Sequence, residues 1–196
     1  MAESNLPKEE TMSPGKEAPS LAADCYGWLQ ALSFALVLLV VIFTLFGRVI
    51  GVAGTSMVPT LAHGDMLLLQ SIGYEPKQGD IVVLHKSFAD IDSPIVKRVI
   101  ALGGQTVEID YDTSTLYVDG QPLEEPYLGE PMHQPGSPYE QGTYWVVPEG
   151  SIFVMGDNRN ASSDSRHAEL GTVDTRYVLG KALFILFPFQ HIGTVE

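Results

Sequence analysis

The sequence predicts a mainly β protein: an antiparallel-sheet or barrel-like domain preceded by one transmembrane α-helix. Two observations carry this expectation. Residues 26–47, "YGWLQALSFALVLLVVIFTLFG", form an uncharged apolar run. Beyond residue 48 the apolar residues come in short runs, broken by Gly-Asp, Pro and Gly-Gly, with hardly any helical periodicity. Many short strands at close spacing are the pattern of an antiparallel sheet or barrel. The expected organisation is a disordered tail over 1–24, a transmembrane helix over 25–48 and a β domain over 49–196.

The tail, "MAESNLPKEETMSPGKEAPSLAAD", is rich in Pro, Ser, Glu and Lys. It cannot bury enough apolar surface to offset the entropy of ordering. The run that follows suits a membrane span, since roughly 20 helical residues cross a hydrocarbon core about 30 Å thick. Tyr26 and Trp28 stand at one end, where interfacial aromatics belong. A cleaved signal peptide would have an apolar core of only about 7–15 residues behind a short basic start. Here the run is longer and the tail acidic, so a retained anchor fits better, although Gly51-Val52-Ala53 is a faint cleavage pattern. Arg48 follows the run, while Lys8 and Lys16 are set against five acids. Charge therefore leaves the orientation open.

The strands follow in order. "DMLLLQSIGYEP" and "GDIVVLHK" are short apolar strands between turns. "SPIVKRVIALGGQTVEIDYD" gives two strands broken at Gly103-Gly104. "STLYVDGQPL" predicts a hairpin turning at Asp119-Gly120. Residues 124–142, rich in Pro and Gly, predict a long loop. "GTYWVVPEGSIFVMGDN" predicts a strand pair turned at Pro148-Glu149-Gly150. "RYVLGKALFILFPF" ends the series, with "ALFILFPF" expected mainly in the core and in part as membrane-facing surface.

The formal net charge is −13. From Gly51 onward, 8 Lys/Arg against 19 Asp/Glu leave −11. Nucleic acid is thus not an expected partner, and any membrane contact should be apolar. Cys25 is the only cysteine, which excludes an intrachain disulfide and a Cys-based metal site. No cofactor or metal is expected.

The residues that bear chemistry begin with Ser56, in "GTSMVPTLAHGD". Gly, Ser, Thr and Pro also make ordinary turns, so the serine needs a base to be more than a turn residue. His63, His85, His133, His167 and His191 occupy no triad context, and most read as exposed loop residues. There is no Gly-x-Ser-x-Gly elbow. Lys97, in "SPIVKRVIALGG", is the unusual group. By period two, Ile95, Lys97, Val99 and Ala101 share one face of a strand, and Val96, Arg98, Ile100 and Leu102 the other. Either cation could snorkel from a wet face. A desolvated lysine, however, is what a serine requires, because burial can lower its pKa by up to about 3–5 units.

"GTSMVPTL", "IVKRVIALGG" and "GDNRNASSDSR" together resemble the signature boxes of the type I bacterial signal peptidases, in the short single-anchor form found in Gram-positive bacteria. These are membrane-anchored serine proteases with a Ser/Lys dyad. The resemblance spans about residue 28 to the end. It implies that Ser56 is the nucleophile, Lys97 the general base and Ser162 the hydroxyl that orients the lysine. It implies that Arg98, Asp164 and Arg166 brace the site through ion pairs. Val52, Ala53, Met57, Leu61, Ile95 and Val96 would wall small-residue pockets. Gly54 stands where some members carry an oxyanion-binding hydroxyl, so the oxyanion would rest on main-chain N–H groups, chiefly that of Ser56. The implied partners are signal-peptide-bearing precursors, cut after Ala-x-Ala-like sites, and the lipid bilayer. The implied location is the cell membrane, tail in the cytoplasm and catalytic domain outside. A Ser/Lys autoprotease of the SOS-repressor type shares the residue pair but would carry a DNA-binding domain. A silent module that binds exported chains would not need both Ser56 and Lys97.

Overall fold

The computed structural model describes residues 21–134 and 142–195. Most of the expected tail and the centre of the Pro-rich segment lie outside the described residues. The chain divides into two units, 1–41 and 42–196.

In the first unit, α1 starts at Leu21; the helix as a whole runs Leu21–Phe46. At 1.5 Å per residue it is about 39 Å long, more than the roughly 30 Å of a hydrocarbon core. Asp24–Val41 is long and apolar enough to cross a membrane, and none of that window is buried within the protein. The Ser33 hydroxyl donates to Leu29 O at 2.8 Å, so its polar group is satisfied inside the helix.

The second unit is built from β1 (Gly47–Gly51), β2 (Met66–Gln70), β3 (Ile81–Leu84), β4 (Ile95–Leu102), β5 (Thr106–Asp110) and β6 (Thr115–Val118). It continues through β7 (Gln121–Pro122), β8 (Tyr144–Val146), β9 (Ser151–Met155), β10 (Val173–Asp174), β11 (Val178–Phe187) and β12 (Gly193–Thr194). Two sheets result. The larger has the order β1-β2-β11-β3-β4-β9-β10, with β12 added to β11; the smaller has the order β7-β6-β5-β8. All pairings are antiparallel. The mainly β expectation therefore holds, with the large sheet an open path between β1 and β10.

Alternation along the central strands explains how both faces of the large sheet become buried. In β3, Ile81 and Val83 join one apolar cluster with Val52, Met57, Leu61, Leu67 and Val96. Val82 and Leu84 join another, with Phe88, Val99, Ile152 and Val154. A strand buried on both faces reads as a continuous apolar run, as "IVVL" does. The expected face pattern of β4 needs one correction. A register shift between Val99 and Ala101 reverses the alternation. Ala101 consequently packs with Ile100, Val107 and Phe153, while Leu102 packs on the cluster of Val99.

Two turns behave differently. Asp119 and Gly120, at φ 52° and 74°, make the left-handed two-residue link that Asp-Gly predicts between β6 and β7. The turn at Pro148-Glu149-Gly150 is also present, closed by Ser151 N donating to Pro148 O at 3.0 Å. Its flanking strands, however, do not pair with each other. β8 joins β5 in the small sheet and β9 joins β4 in the large one. In β11, Ala182 and Ile185 are buried whereas Leu183 and Phe187 are exposed, so this strand serves core and surface together.

Candidate active site

Ser56 sits in a closed turn between β1 and β2. Val52 N donates to Asp65 O at 2.8 Å and Gly64 N to Val52 O at 2.9 Å, so the entry and exit of the turn are tied. Inside it, Leu61 N donates to Met57 O, and the Asp65 carboxylate accepts from Ala62 N at 2.8 Å. Met57 and Leu61, each 1% exposed, anchor the turn in the core. Ser56 is thereby held half-buried, between exposed Thr55 and buried Met57.

The segment after β9 grips the same turn from the other side. Asn158 N donates to Ser56 O at 3.0 Å, and Asn158 Nδ2 to Thr55 O at 3.2 Å. Thr60 Oγ1 donates to the Asp157 carboxylate. This grip needs Gly156. A Cβ there would lie 2.4 Å from Ser56 O and 2.3 Å from Ser162 Oγ, closer than any real contact.

Lys97, in β4, reaches this turn. Its Nζ donates to Ser56 Oγ at 2.7 Å and to Val96 O at 3.0 Å. The residue is 3% exposed. Burial pushes its pKa down to about 8, against the pull of the Asp164 and Asp157 carboxylates and helped by the Arg166 charge. Lys97 is therefore buried rather than snorkelling, and it titrates well below a free lysine.

Two buried ion pairs flank the lysine. Arg98 Nε and Nη2 donate to the two oxygens of Asp157 at 2.8 and 2.7 Å, and Nη1 donates to Gly79 O. The guanidinium lies 3.8 Å from the centroid of the Tyr127 ring. Arg166 makes the equivalent fork to Asp164, at 2.9 and 3.0 Å, and donates to Arg159 O at 2.7 Å. Burial alone would raise the Asp164 pKa, but the Arg166 charge and hydrogen bonds, with Gly156 N–H, hold it below the usual value. Arg159 pairs in turn with Glu125. Forks of this kind fix position as well as charge.

A cleft of about 290 Å³ opens on the pair. Ser56 and Lys97 line it with Val52, Ala53, Gly54, Met57, Ile95 and Val96. Leu61 does not reach it and lies in the core cluster behind Met57. Ser162 Oγ is buried beside the Asp164 carboxylate, which it helps to hold ionised, and makes no bond to Lys97 in this structure. A larger concavity of about 590 Å³ lies on the small sheet among Glu108, Asp110, Asp112 and Tyr117, and neither Ser56 nor Lys97 lines it.

Sequence reasoning missed Asp157, Asn158, Thr60 and Tyr127. Asp157 and Asn158 fall within "GDNRNASSDSR", which was the available signal. Their partners lie 59 and 103 residues away in sequence, which no local pattern reveals. The histidines divide. His63 Nδ1 accepts from Gly54 N at 3.2 Å and His191 faces Asp65 at 3.1 Å. His167 is buried, with Phe88 edge-on to its ring at 5.7 Å.

A serine hydroxyl hydrogen-bonded to a buried lysine amine thus lines an open cleft, and no histidine is among the residues that line it. The sequence profile of the family described as signal peptidase, peptidase S26, matches residues 25–187. The chain is 41% identical over 147 residues to "Probable signal peptidase I-1" of Synechocystis, covering 70% of each chain. It is 38% identical over 178 residues to "Signal peptidase I" of Bacillus licheniformis, covering 87% of this chain and 93% of that one. A crystal structure of a signal peptidase I from Enterococcus faecalis is 34% identical, covers 55% of this chain and 97% of that one, and has a TM-score of 0.44. The chain belongs to the signal peptidase family, peptidase S26, whose members are serine endopeptidases.

Proposed function

We propose that this chain removes N-terminal signal peptides from exported precursors, with Ser56 as nucleophile and Lys97 as general base, cutting after Ala-x-Ala-like sites. The observation that carries the reading is the 2.7 Å hydrogen bond between Lys97 Nζ and Ser56 Oγ at a lysine 3% exposed. Neutral Lys97 takes the hydroxyl proton as Ser56 Oγ attacks the scissile carbonyl. The ammonium so formed protonates the leaving amine, which leaves an acyl-serine. A water molecule then loses its proton to Lys97, and its attack frees the serine. Ser56 N–H donates to no group of the protein among the described residues, and we assign it to the oxyanion. Ser162, whose hydroxyl is buried beside Asp164, is suited to receive the lysine amine when it shifts during the cycle. The Arg98–Asp157 pair ties β4 to the segment that grips the Ser56 turn, and the Arg166–Asp164 pair braces that segment from within.

The cleft walls, Val52, Ala53, Ile95 and Val96, present short or branched apolar side chains, which suits small residues before the cut. The tail is placed in the cytoplasm, α1 across the cell membrane and the β domain outside. Met66, Phe187 and Phe189 give the domain an exposed apolar patch, 37%, 50% and 77% exposed, suited to a lipid surface. The test is to incubate the detergent-solubilised full chain with an Ala-x-Ala precursor and map the cut by mass. Ser56→Ala should bind the precursor and leave it intact. Processing by that variant at a rate comparable with wild type would remove Ser56 from the chemistry.

A further inference from the structure

Between β3 and β4 stands a two-residue hairpin, Phe88-Ala89-Asp90-Ile91. Phe88 and Ile91 exchange both main-chain hydrogen bonds, Phe88 N to Ile91 O at 3.1 Å and Ile91 N to Phe88 O at 2.7 Å. Ala89 and Asp90, at φ 45° and 62°, both occupy the left-handed region, as a type I′ turn demands. Asp90 enters that region readily, whereas Ala89 does so at a cost and is held there. Three anchors hold it. Phe88, 6% exposed, packs in the core beside His167. Ala89 N donates to the Glu169 carboxylate at 2.8 Å. The Lys86 ammonium donates to Leu170 O.

This rigid hairpin carries Ile91 to the wall of the cleft that holds Ser56 and Lys97, together with Ser93 and Pro94. Ile91 is half-buried against the core, and a β-branched side chain has few rotamers with which to swing aside. Ser93 and Pro94 precede Lys97 by three to four residues, so at about 3.3 Å per residue they stand roughly 10–13 Å from it along the strand. An extended peptide lying in the cleft reaches that distance at about the third to fifth residue before its scissile bond.

We propose that Ile91 is a specificity-determining residue, which limits the size of the substrate side chain at the third to fifth positions before the cut. The inference rests on the reading of Ser56 and Lys97 as the reacting pair. The three anchors of the hairpin are what keep the limit fixed, since an unanchored loop would yield to a bulky side chain.

The experiment uses the full chain in detergent and Ala-x-Ala peptides carrying Ala or Phe in turn at the first, third, fourth and fifth positions before the cut. The readout is the ratio of kcat/KM for Phe over Ala at each position. Ile91→Ala should raise that ratio about tenfold at one or more of positions three to five and leave it unchanged at position one. Ile91→Val, which retains the branch, should move it in the same direction by less, and serves if the alanine variant does not fold. Replacing Ala89-Asp90 by Asn-Gly relaxes the backbone without altering Ile91 and should leave every ratio near wild type. Unchanged ratios in both Ile91 variants, a change confined to position one, or equal changes at all positions would overturn the proposal. An equal rise in the Asn-Gly variant would overturn it too, because loop mobility would then explain the effect. Ser56→Ala, run on the same peptides, separates the two readings: residual cutting there condemns the reacting pair, whereas flat ratios in a Ser56-dependent enzyme condemn only Ile91.

Discussion

Lys97→Met is the substitution that separates the chemical from the structural cost of the buried lysine. Methionine is close in length, apolar and uncharged, so it can fill the same space. The lysine pKa falls from 10.5 to about 8 on folding, with burial the main cause. At about 1.4 kcal/mol per unit this is a penalty of about 3 kcal/mol, carried by the folded state wherever the amine is protonated. The unfolded chain binds the extra proton between pH 8 and 10.5, so the lysine's contribution improves as pH rises through that window. Below pH 8 the penalty is present in full. Lys97→Met should therefore be more stable than wild type at pH 7, by up to about 3 kcal/mol less the two hydrogen bonds lost to Ser56 Oγ and Val96 O, each worth about 1 kcal/mol. Its peptidase activity should fall by at least about a hundredfold, the lower range for loss of a general base. Wild-type kcat/KM should rise about tenfold per pH unit below pH 8 and level above it, as the neutral amine accumulates. The assays are denaturant melts of the full chain in detergent at pH 7 and pH 9, and initial rates on a fluorogenic peptide from pH 6 to 9. A methionine variant clearly less stable than wild type at pH 7, together with a flat rate profile, would refute the reasoning.

Gly156→Ala should lower kcat more than a hundredfold, because its methyl would meet Ser56 O and Ser162 Oγ and displace the nucleophile; catalysis loses about that much for roughly 1 Å of misplacement. Rates and a circular dichroism spectrum measured together check that the loss is local. Asp157→Ala removes the carboxylate that Arg98 and Thr60 share, in a site where Arg98 is 4% exposed. Breaking a buried pair costs about 3–5 kcal/mol, and chemical denaturation at pH 7 reads it directly.

The residues that meet in the cleft were legible where the chain states them locally. "GTSMVPTL" and "IVKRVIALGG" name Ser56 and Lys97, and period two already set the lysine among branched apolar side chains. What was not legible depends on long-range choice. A turn at Pro148-Glu149-Gly150 fixes that the chain reverses but not which sheet each arm joins. The bulge that turns Ala101 over has no residue signature, since it answers to β9 rather than to β4. Nor does "FADI" announce a left-handed turn, because Ala89 favours other conformations and adopts this one where Phe88 and Glu169 hold it. Buried carboxylates such as Asp157 read as solvent charges until the arginine opposite them is known.

In the large sheet, β11 joins two halves. This strand, the last long one, lies between β2 and β3, pairing Ala182 with Leu69 on one side and Lys181 with Val82 on the other. Among the described residues, the half that carries the serine turn and the half that carries the lysine hairpin have no strand pairing except through it. A chain interrupted before residue 178 would contain Ser56, Lys97 and both ion pairs in sequence, yet lack the strand that joins their halves. On the proposed reading, a copy cut before residue 178 should be inactive, because the β2–β11–β3 link that aligns the two halves is missing.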